Sequence, residues 1–313
     1  MKPDPLFALD KRLPKPEFML IGAAKCGTTS LEKYLSVHPQ IRSTRVKEPN
    51  FWTWQSCNNR QYQSLFVNPE PAINPKANQV IGGDYSTSSI LHPIVPLRVH
   101  AALPHTKIIA LLRHPVDRAY SHFMMSKEFG REPSRSFDEI VLREIDEIEE
   151  LLASHQRAFA EKNYRTNSHR SAANGKPISV SLHDKTWSPL PLLSEKELHR
   201  FYFCSYVFRS VYHDQLWRWM QLFPNKQMLV MQAETFYKDT GSAMSKIIKF
   251  LGLAPHDFGE SLQQPWGAER AITKRAPSGY ADMSKKTRTL LTDFFKPYNE
   301  KLFKLIGDTY DWA

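Results

Sequence analysis

Short apolar runs bounded by turn residues recur along the chain, at Phe18 to Ile21, Val80 to Ile81, Lys107 to Leu112 and Gln227 to Met231. Each is short enough for a buried strand, and segments with helical spacing of apolar residues lie between them. Strands alternating with helices predict an α/β fold with a central parallel sheet flanked by helices, whose ligands gather at the carboxyl ends of the strands. The rhythm breaks from about Lys127 to Cys204. There a strongly acidic helical stretch, SFDEIVLREIDEIEELLASHQRAFAEKN, leads into a polar segment, TNSHRSAANGKPISVSLHDKTWSPLPLL. The chain therefore reads as one domain over residues 1–313, with 127–204 a mainly helical and loop insertion, or lid, over a cleft. The acidic helix reads as a solvated face.

The first apolar run continues into the most informative stretch, Phe18 to Leu35, FMLIGAAKCGTTSLEKYL. Gly22 and Gly27 flank a turn that opens into an amphipathic helix, which places backbone N–H groups, a helix dipole and Lys25 around one point and suits a phosphate or sulfate group. The usual nucleotide-loop pattern is not met, because Thr28 stands where its lysine would be and Lys25 precedes the second glycine. From that place Lys25 can reach a phosphosulfate while Gly27, Thr28, Thr29 and Ser30 donate to its oxygens. The plainer alternative is a strand-to-helix turn with a capping threonine. After the run Lys107 to Leu112 comes Arg113, with Ser121 eight residues on. An arginine can grip a phosphate with two prongs and a serine can add a hydroxyl donor, so both turns are expected to serve one crevice.

Composition narrows the ligand. A chain of 313 residues with 41% apolar content can bury a full core. The net charge of +10 and pI near 9.4 favour anionic partners, but the basic residues are dispersed, which points to an anionic cofactor and away from nucleic acid. Three cysteines, Cys26, Cys57 and Cys204, have no metal-type spacing, so a reducing compartment and no metal site are expected. The first seventeen residues lack the apolar run of a secretory segment, and no stretch reaches membrane-spanning length. A cytoplasmic protein without a membrane partner is the resulting expectation.

Taken together, these motifs resemble the PAPS-dependent sulfotransferases, in particular the heparan-sulfate and bacterial type. That family follows a strand with K-x-G-T-[ST], here Lys25 to Thr29, and later carries R-x-P-x-x-R-x-x-S, here Arg113 to Ser121, about ninety residues on. Lys47-Glu48-Pro49-Asn50-Phe51-Trp52 is similar to its K-E-x-x-F-F segment, and Gly83-Asp84-Tyr85-Ser86 sits where it has an acceptor-contacting cluster. Arg209-Ser210-Val211-Tyr212, with Leu216, Trp217, Phe223 and Pro224, resembles a further block, and Thr273 to Pro277 resembles the basic loop that closes over the cofactor. Two departures stand out. No lysine follows Asp84, which leaves Lys47 as a substitute, and the closing loop lacks the paired cysteines of secreted members.

The resemblance implies a P-loop-like three-layer fold. It also implies transfer of a sulfuryl group from PAPS (3′-phosphoadenylyl sulfate) to a hydroxyl or amine of a small-molecule or saccharide acceptor, giving PAP and needing no metal. Lys25 would steady the leaving oxygen, and Glu48 or His92 would take the acceptor's proton. The donor would be held by Lys25, Cys26, Gly27, Thr28, Thr29, Ser30, Arg113, Ser121, Tyr212, Lys274 and Arg275. The acceptor would meet Lys47, Glu48, Phe51, Asp84, Tyr85 and Ser86. Two other readings stay open on the sequence: a P-loop small-molecule kinase, and a non-catalytic binder of nucleotide or sulfated glycan. The oligomeric state is not legible.

Overall fold

The computed structural model describes residues 7–44, 46–54, 58–66, 80–132, 135–171, 204–263 and 283–312. Five strands, β1 (Pro16–Gly22), β2 (Ile41–Ser43), β3 (Ile81–Asp84), β4 (Lys107–Leu112) and β5 (Met228–Gln232), form one sheet in the order β2-β3-β1-β4-β5. Every pairing is parallel. The fold is α/β with helices flanking a parallel sheet, as the alternating pattern implies. β1 and β4 lie at its centre and are buried on both faces, which is why they read as unbroken apolar runs. The sequence pattern misses β2, because a three-residue edge strand reading Ile-Arg-Ser carries no periodicity. Lys107 to Leu112 is therefore the fourth strand of the chain, one place later than the pattern suggests. β3 reads Ile-Gly-Gly-Asp, and its second glycine is a packing requirement, since a Cβ on Gly83 would run into the Phe18 ring.

The helices are α1 (Thr28–Val37), α2 (Phe51–Trp54), α3 (Asn59–Ser64), α4 (Val95–Ala102), α5 (Pro115–Glu128), α6 (Phe137–Ser171), α7 (Tyr212–Met220), α8 (Ala233–Lys238), α9 (Thr240–Leu251) and α10 (Lys285–Ile306). After β1 the chain turns toward β2 and β3, and after β4 it turns the other way toward β5. The crevice between the carboxyl ends of β1 and β4 is thus the topological switch point, where open parallel sheets bind ligands.

One buried apolar cluster surrounds the sheet, and a second lies under α5 and α6 with Phe123, Ile140, Val141, Tyr206, Phe208 and Phe295 among its members. The acidic stretch accordingly has two faces. Glu147, Glu149 and Glu150 are exposed, whereas Phe137, Ile140, Val141, Ile148 and Leu152 pack inward. Glu144 and His155 are buried on that inner side. Of the expected lid, residues 172–203 lie outside the described residues, and so do Lys274 and Arg275. At the far end the helical pattern stops at Gly307, in the left-handed conformation, and Tyr310 and Trp312 fold back into the sheet-side core.

Candidate active site

The turn after β1 is held from below. Ala23 N–H donates to the Leu111 carbonyl at 2.8 Å, which keeps the turn over β4. Lys25 and Gly27 both take positive φ, at 73° and 90°, and Gly27, the N-cap of α1, has no side chain with which to cap it. At Gly27 a Cβ would meet the Tyr237 ring, whose hydroxyl donates to Ser30 Oγ at 3.1 Å. A lysine in the left-handed region is sparsely populated and persists only where packing over-determines it. The result is a helix N-terminus and a lysine facing one point, the arrangement that suits an anion.

Three cations crowd the switch point. Lys25 is half-buried with Nζ 3.4 Å from Met125 Sδ, and burial, then the Arg113 charge, lowers its pKa. Arg113 follows β4, and its buried Nη1 has no hydrogen-bond partner among the described residues. Arg118, fully buried on α5, donates from Nε to Ser210 Oγ at 2.6 Å and from Nη2 to the Tyr206 carbonyl, while its Nη1 has no partner. Ser121 lies one helical turn before Met125, on the same side of α5. Behind the cations, Tyr212 ties the two turns together. Its hydroxyl donates to the Arg113 carbonyl at 2.9 Å and sits 3.8 Å from Cys26 Sγ. Burial pushes the Cys26 thiol up to about 11 and the Tyr212 phenol well above its ordinary range, so both stay neutral. Burying a charge costs several kcal/mol even after relaxation. Guanidinium N–H groups without partners among the described residues are donors that a ligand rich in acceptor oxygens would satisfy.

The segments after β2 and β3 form a second side. Lys47 Nζ donates to the Thr29 hydroxyl in the first turn of α1 and lies 3.6 Å from Glu32, so this side adjoins the β1 turn. Glu48 takes φ 55° and Asn50 φ 50°, and Glu48 Oε1 accepts from the Thr87 hydroxyl at 3.0 Å. Asn50 fixes the bend by donating from its backbone N–H to Ser86 Oγ and from its side chain to the Glu48 carbonyl, both at 2.9 Å. Glu48 is therefore positioned by hydrogen bonds while remaining half-buried.

The other predicted residues brace this side from within. Phe51, Asp84 and Tyr85 are fully buried, and Asp84 accepts from the Tyr62 hydroxyl at 2.6 Å and from Ser86 N–H at 2.9 Å. Tyr62 in turn accepts from Trp52 Nε1 at 2.9 Å, and burial raises the Asp84 pKa. His92 is 5% exposed, and its Nδ1 accepts from Ile94 N–H at 3.4 Å. Burial holds its pKa well below the usual range, and its neighbours Arg98, His155 and Arg218 add to that. None of those neighbours belongs to the turns that carry Lys25, Glu48 or Arg113.

The structure thus brings together the β1 turn, Arg113, Ser121, Lys47 and Glu48, and keeps Phe51, Asp84, Tyr85, Tyr212 and His92 behind them. Sequence reasoning gave no role to Arg118, Thr87, Tyr237 or Glu234. Arg118 had a signal, as the second arginine of the motif that begins at Arg113. Glu234 opens α8, accepts from His114 N–H at 2.9 Å and lies 3.5 Å from Trp312 Nε1, a tertiary bracing that no local pattern announces.

Comparison with known proteins settles the family. The sulfotransferase domain model matches residues 15–266. The chain belongs to the sulfotransferase domain family. The domain is 26% identical to the membrane-associated sulfotransferase kil1 of Dictyostelium discoideum, over 96% of this chain and 67% of that protein. It is 26% identical to the human bifunctional heparan sulfate N-deacetylase/N-sulfotransferase 2, over 93% of this chain but 29% of that protein. Human carbohydrate sulfotransferase 15 is 22% identical over 94% of the chain and 54% of its own length. A sulfotransferase crystal structure from Alicyclobacillus acidocaldarius shares the fold, with a TM-score of 0.62 and 24% identity over 95% of this chain and 98% of that one. The expectation of a cytoplasmic protein does not stand, because similar sulfotransferases include one named as membrane-associated. Among the described residues no helix is long and apolar enough to cross a membrane, but the lack of such a helix assigns no compartment.

Proposed function

We propose that this sulfotransferase takes a sulfuryl group from PAPS and passes it to a hydroxyl or amine of a saccharide. The observation that carries the donor assignment is the Tyr212 hydroxyl between Cys26 and the Arg113 carbonyl, which locks the two anion-seeking turns side by side. The Nη1 groups of Arg113 and Arg118, without partners among the described residues, fit an adenosine donor with two anionic ends. The saccharide class is supported by the names of the similar heparan sulfate and carbohydrate sulfotransferases.

PAPS supplies the sulfuryl group on an anhydride oxygen. The acceptor oxygen or nitrogen bonds to sulfur as the bond from sulfur to the bridging oxygen breaks, and that oxygen leaves with PAP. Charge grows on the leaving oxygen, and Lys25 with the N–H groups opening α1 is placed to stabilise it. Glu48 takes the proton lost by the acceptor onto its carboxylate, which Thr87 holds while Asn50 fixes the Glu48 backbone. Arg113, Ser121 and the 28–30 turn bind and orient the donor, with Lys274 and Arg275 as further contacts on the resemblance alone. Residues 127–204 are proposed as the acceptor lid.

The test is calorimetric titration with PAP, followed by transfer of label from PAPS to a panel of saccharides and small alcohols and amines. Saturable PAP binding and labelling of a saccharide are expected. PAP binding without transfer to any acceptor would favour a non-catalytic binder, and transfer from ATP instead would favour a kinase.

A further inference from the structure

Outside the site, the most unusual group in the described residues is Glu144. It projects from the inner side of α6 into the second apolar cluster, where a carboxyl is expensive to bury, and it is 5% exposed. Its partners are three consecutive backbone N–H groups. Tyr206 N–H lies 2.9 Å from both carboxyl oxygens, Val207 N–H 2.7 Å from Oε2 and Phe208 N–H 3.2 Å from Oε2. Those three groups begin the short turn that ends at Ser210, just before α7.

That turn is where Arg118 is seated. The Tyr206 carbonyl and Ser210 Oγ accept two of the arginine's donors, and Ser210 also donates to the Pro115 carbonyl at 3.0 Å. Two residues past Ser210, Tyr212 reaches the Arg113 carbonyl and Cys26. One carboxyl on the insertion helix is thereby linked through a single turn of chain to both walls of the switch point. Salt bridging does not explain it, since no ion pair is formed by Glu144 among the described residues.

We propose that Glu144 is a positioning residue of the donor site: from α6 it fixes the 206–210 turn, which in turn sets Arg118 and Tyr212 for donor binding. The inference rests on the donor reading above and deepens it. Glu144 touches neither donor nor acceptor, so its effect is on donor affinity and not on the chemical step.

The experiment compares wild type, Glu144→Gln and Glu147→Gln, the last making the same substitution on the exposed face of the same helix. Glu144→Gln keeps one carbonyl acceptor but turns an N–H₂ toward the Tyr206 N–H. It is expected to keep the wild-type far-UV spectrum, weaken PAP binding by about tenfold and raise the KM for PAPS with turnover at saturating donor retained. Glu147→Gln is expected to match wild type. A folded Glu144→Gln protein with wild-type PAP affinity overturns the proposal while leaving the donor reading intact. Wild type that fails to bind PAP overturns the donor reading and this one with it. Should Glu144→Gln not fold, hydrogen exchange on wild type decides: coupling is reciprocal, so PAP must raise protection of the 206–208 amides, and unchanged protection overturns the proposal.

Discussion

The two sides of the crevice are built to opposite rules. On the side of the β1 and β4 turns, cations are desolvated and buried guanidinium N–H groups of Arg113 and Arg118 are left without protein partners. On the side of the β2 and β3 segments, Lys47 is matched by Thr29 and Glu32, and Glu48 by Thr87. The first side is incomplete without an anion. The second pairs its lysine and its glutamate with protein groups and offers a hydrogen-bonded carboxylate that can gain a proton. On the proposed function, such a site would bind on one side and exchange protons on the other, and substitutions should sort accordingly.

The strongest way to break the contrast is at Glu48. Glu48→Gln keeps the Thr87 bond but cannot accept a proton, so turnover should fall roughly 10²- to 10⁴-fold with PAP affinity unchanged. His92→Gln is its counterpart. Buried among Arg98, His155 and Arg218, His92 should contribute to packing, so its variant should melt earlier while the folded fraction turns over normally. The reverse pattern, with His92→Gln inactive and Glu48→Gln active, would move the base to the histidine.

Lys25 and Arg113 sharpen the comparison on the donor side. Lys25→Met should cost roughly 3 kcal/mol of barrier, about a hundredfold in rate, because the charge it meets is largest in the transition state. Arg113→Lys keeps a cation but loses the fork, and a charge-assisted hydrogen bond is worth about 1.5–3 kcal/mol. Its loss should appear as a KM for PAPS raised about tenfold to a hundredfold, with turnover at saturation little changed. Equal effects of both variants on KM and turnover would mean that binding and chemistry are not divided in this way.

The same contrast explains what could be read from the sequence. The donor turns are local: a glycine, a lysine and hydroxyls in consecutive positions are enough to specify a helix-opening anion loop, and Arg113 follows a five-residue apolar run. Glu48 stands out in its segment as a candidate, but the burial of its neighbours in the same patterns does not show there. Asp84 and Tyr85 look like polar residues free to meet an acceptor until Tyr62, fixed from α3, is seen closing on the carboxylate. β2 escaped because three residues at a sheet edge carry too little pattern. Glu144 escaped because an acidic residue amid SFDEIVLREIDEIEELL is one of many, and only the 206–208 amides, more than sixty residues away, distinguish it.

The smallest expected effect tests that last point through stability. Burial pushes the Glu144 carboxyl up to about 7, against an ordinary value of 4.5, even with three amides pulling it down. The folded state therefore holds a proton that the unfolded state has released between those values. Glu144 thus contributes stability that is fully present below about pH 4.5 and is lost as pH rises through about 7. The buried His92, His122 and His155 run the other way, since burial keeps them neutral and the unfolded chain takes up their protons as pH falls below the usual 6.5. Their opposing slope would mask Glu144 in a melting curve of wild type alone, but it cancels in the difference between wild type and Glu144→Gln. That difference in Tm should be widest near pH 5 and narrow by a few degrees toward pH 8. A gap that stays constant across this range would place the ordinary carboxylate value on Glu144, and the 206–210 turn would then rest on an anion instead of a largely neutral acid.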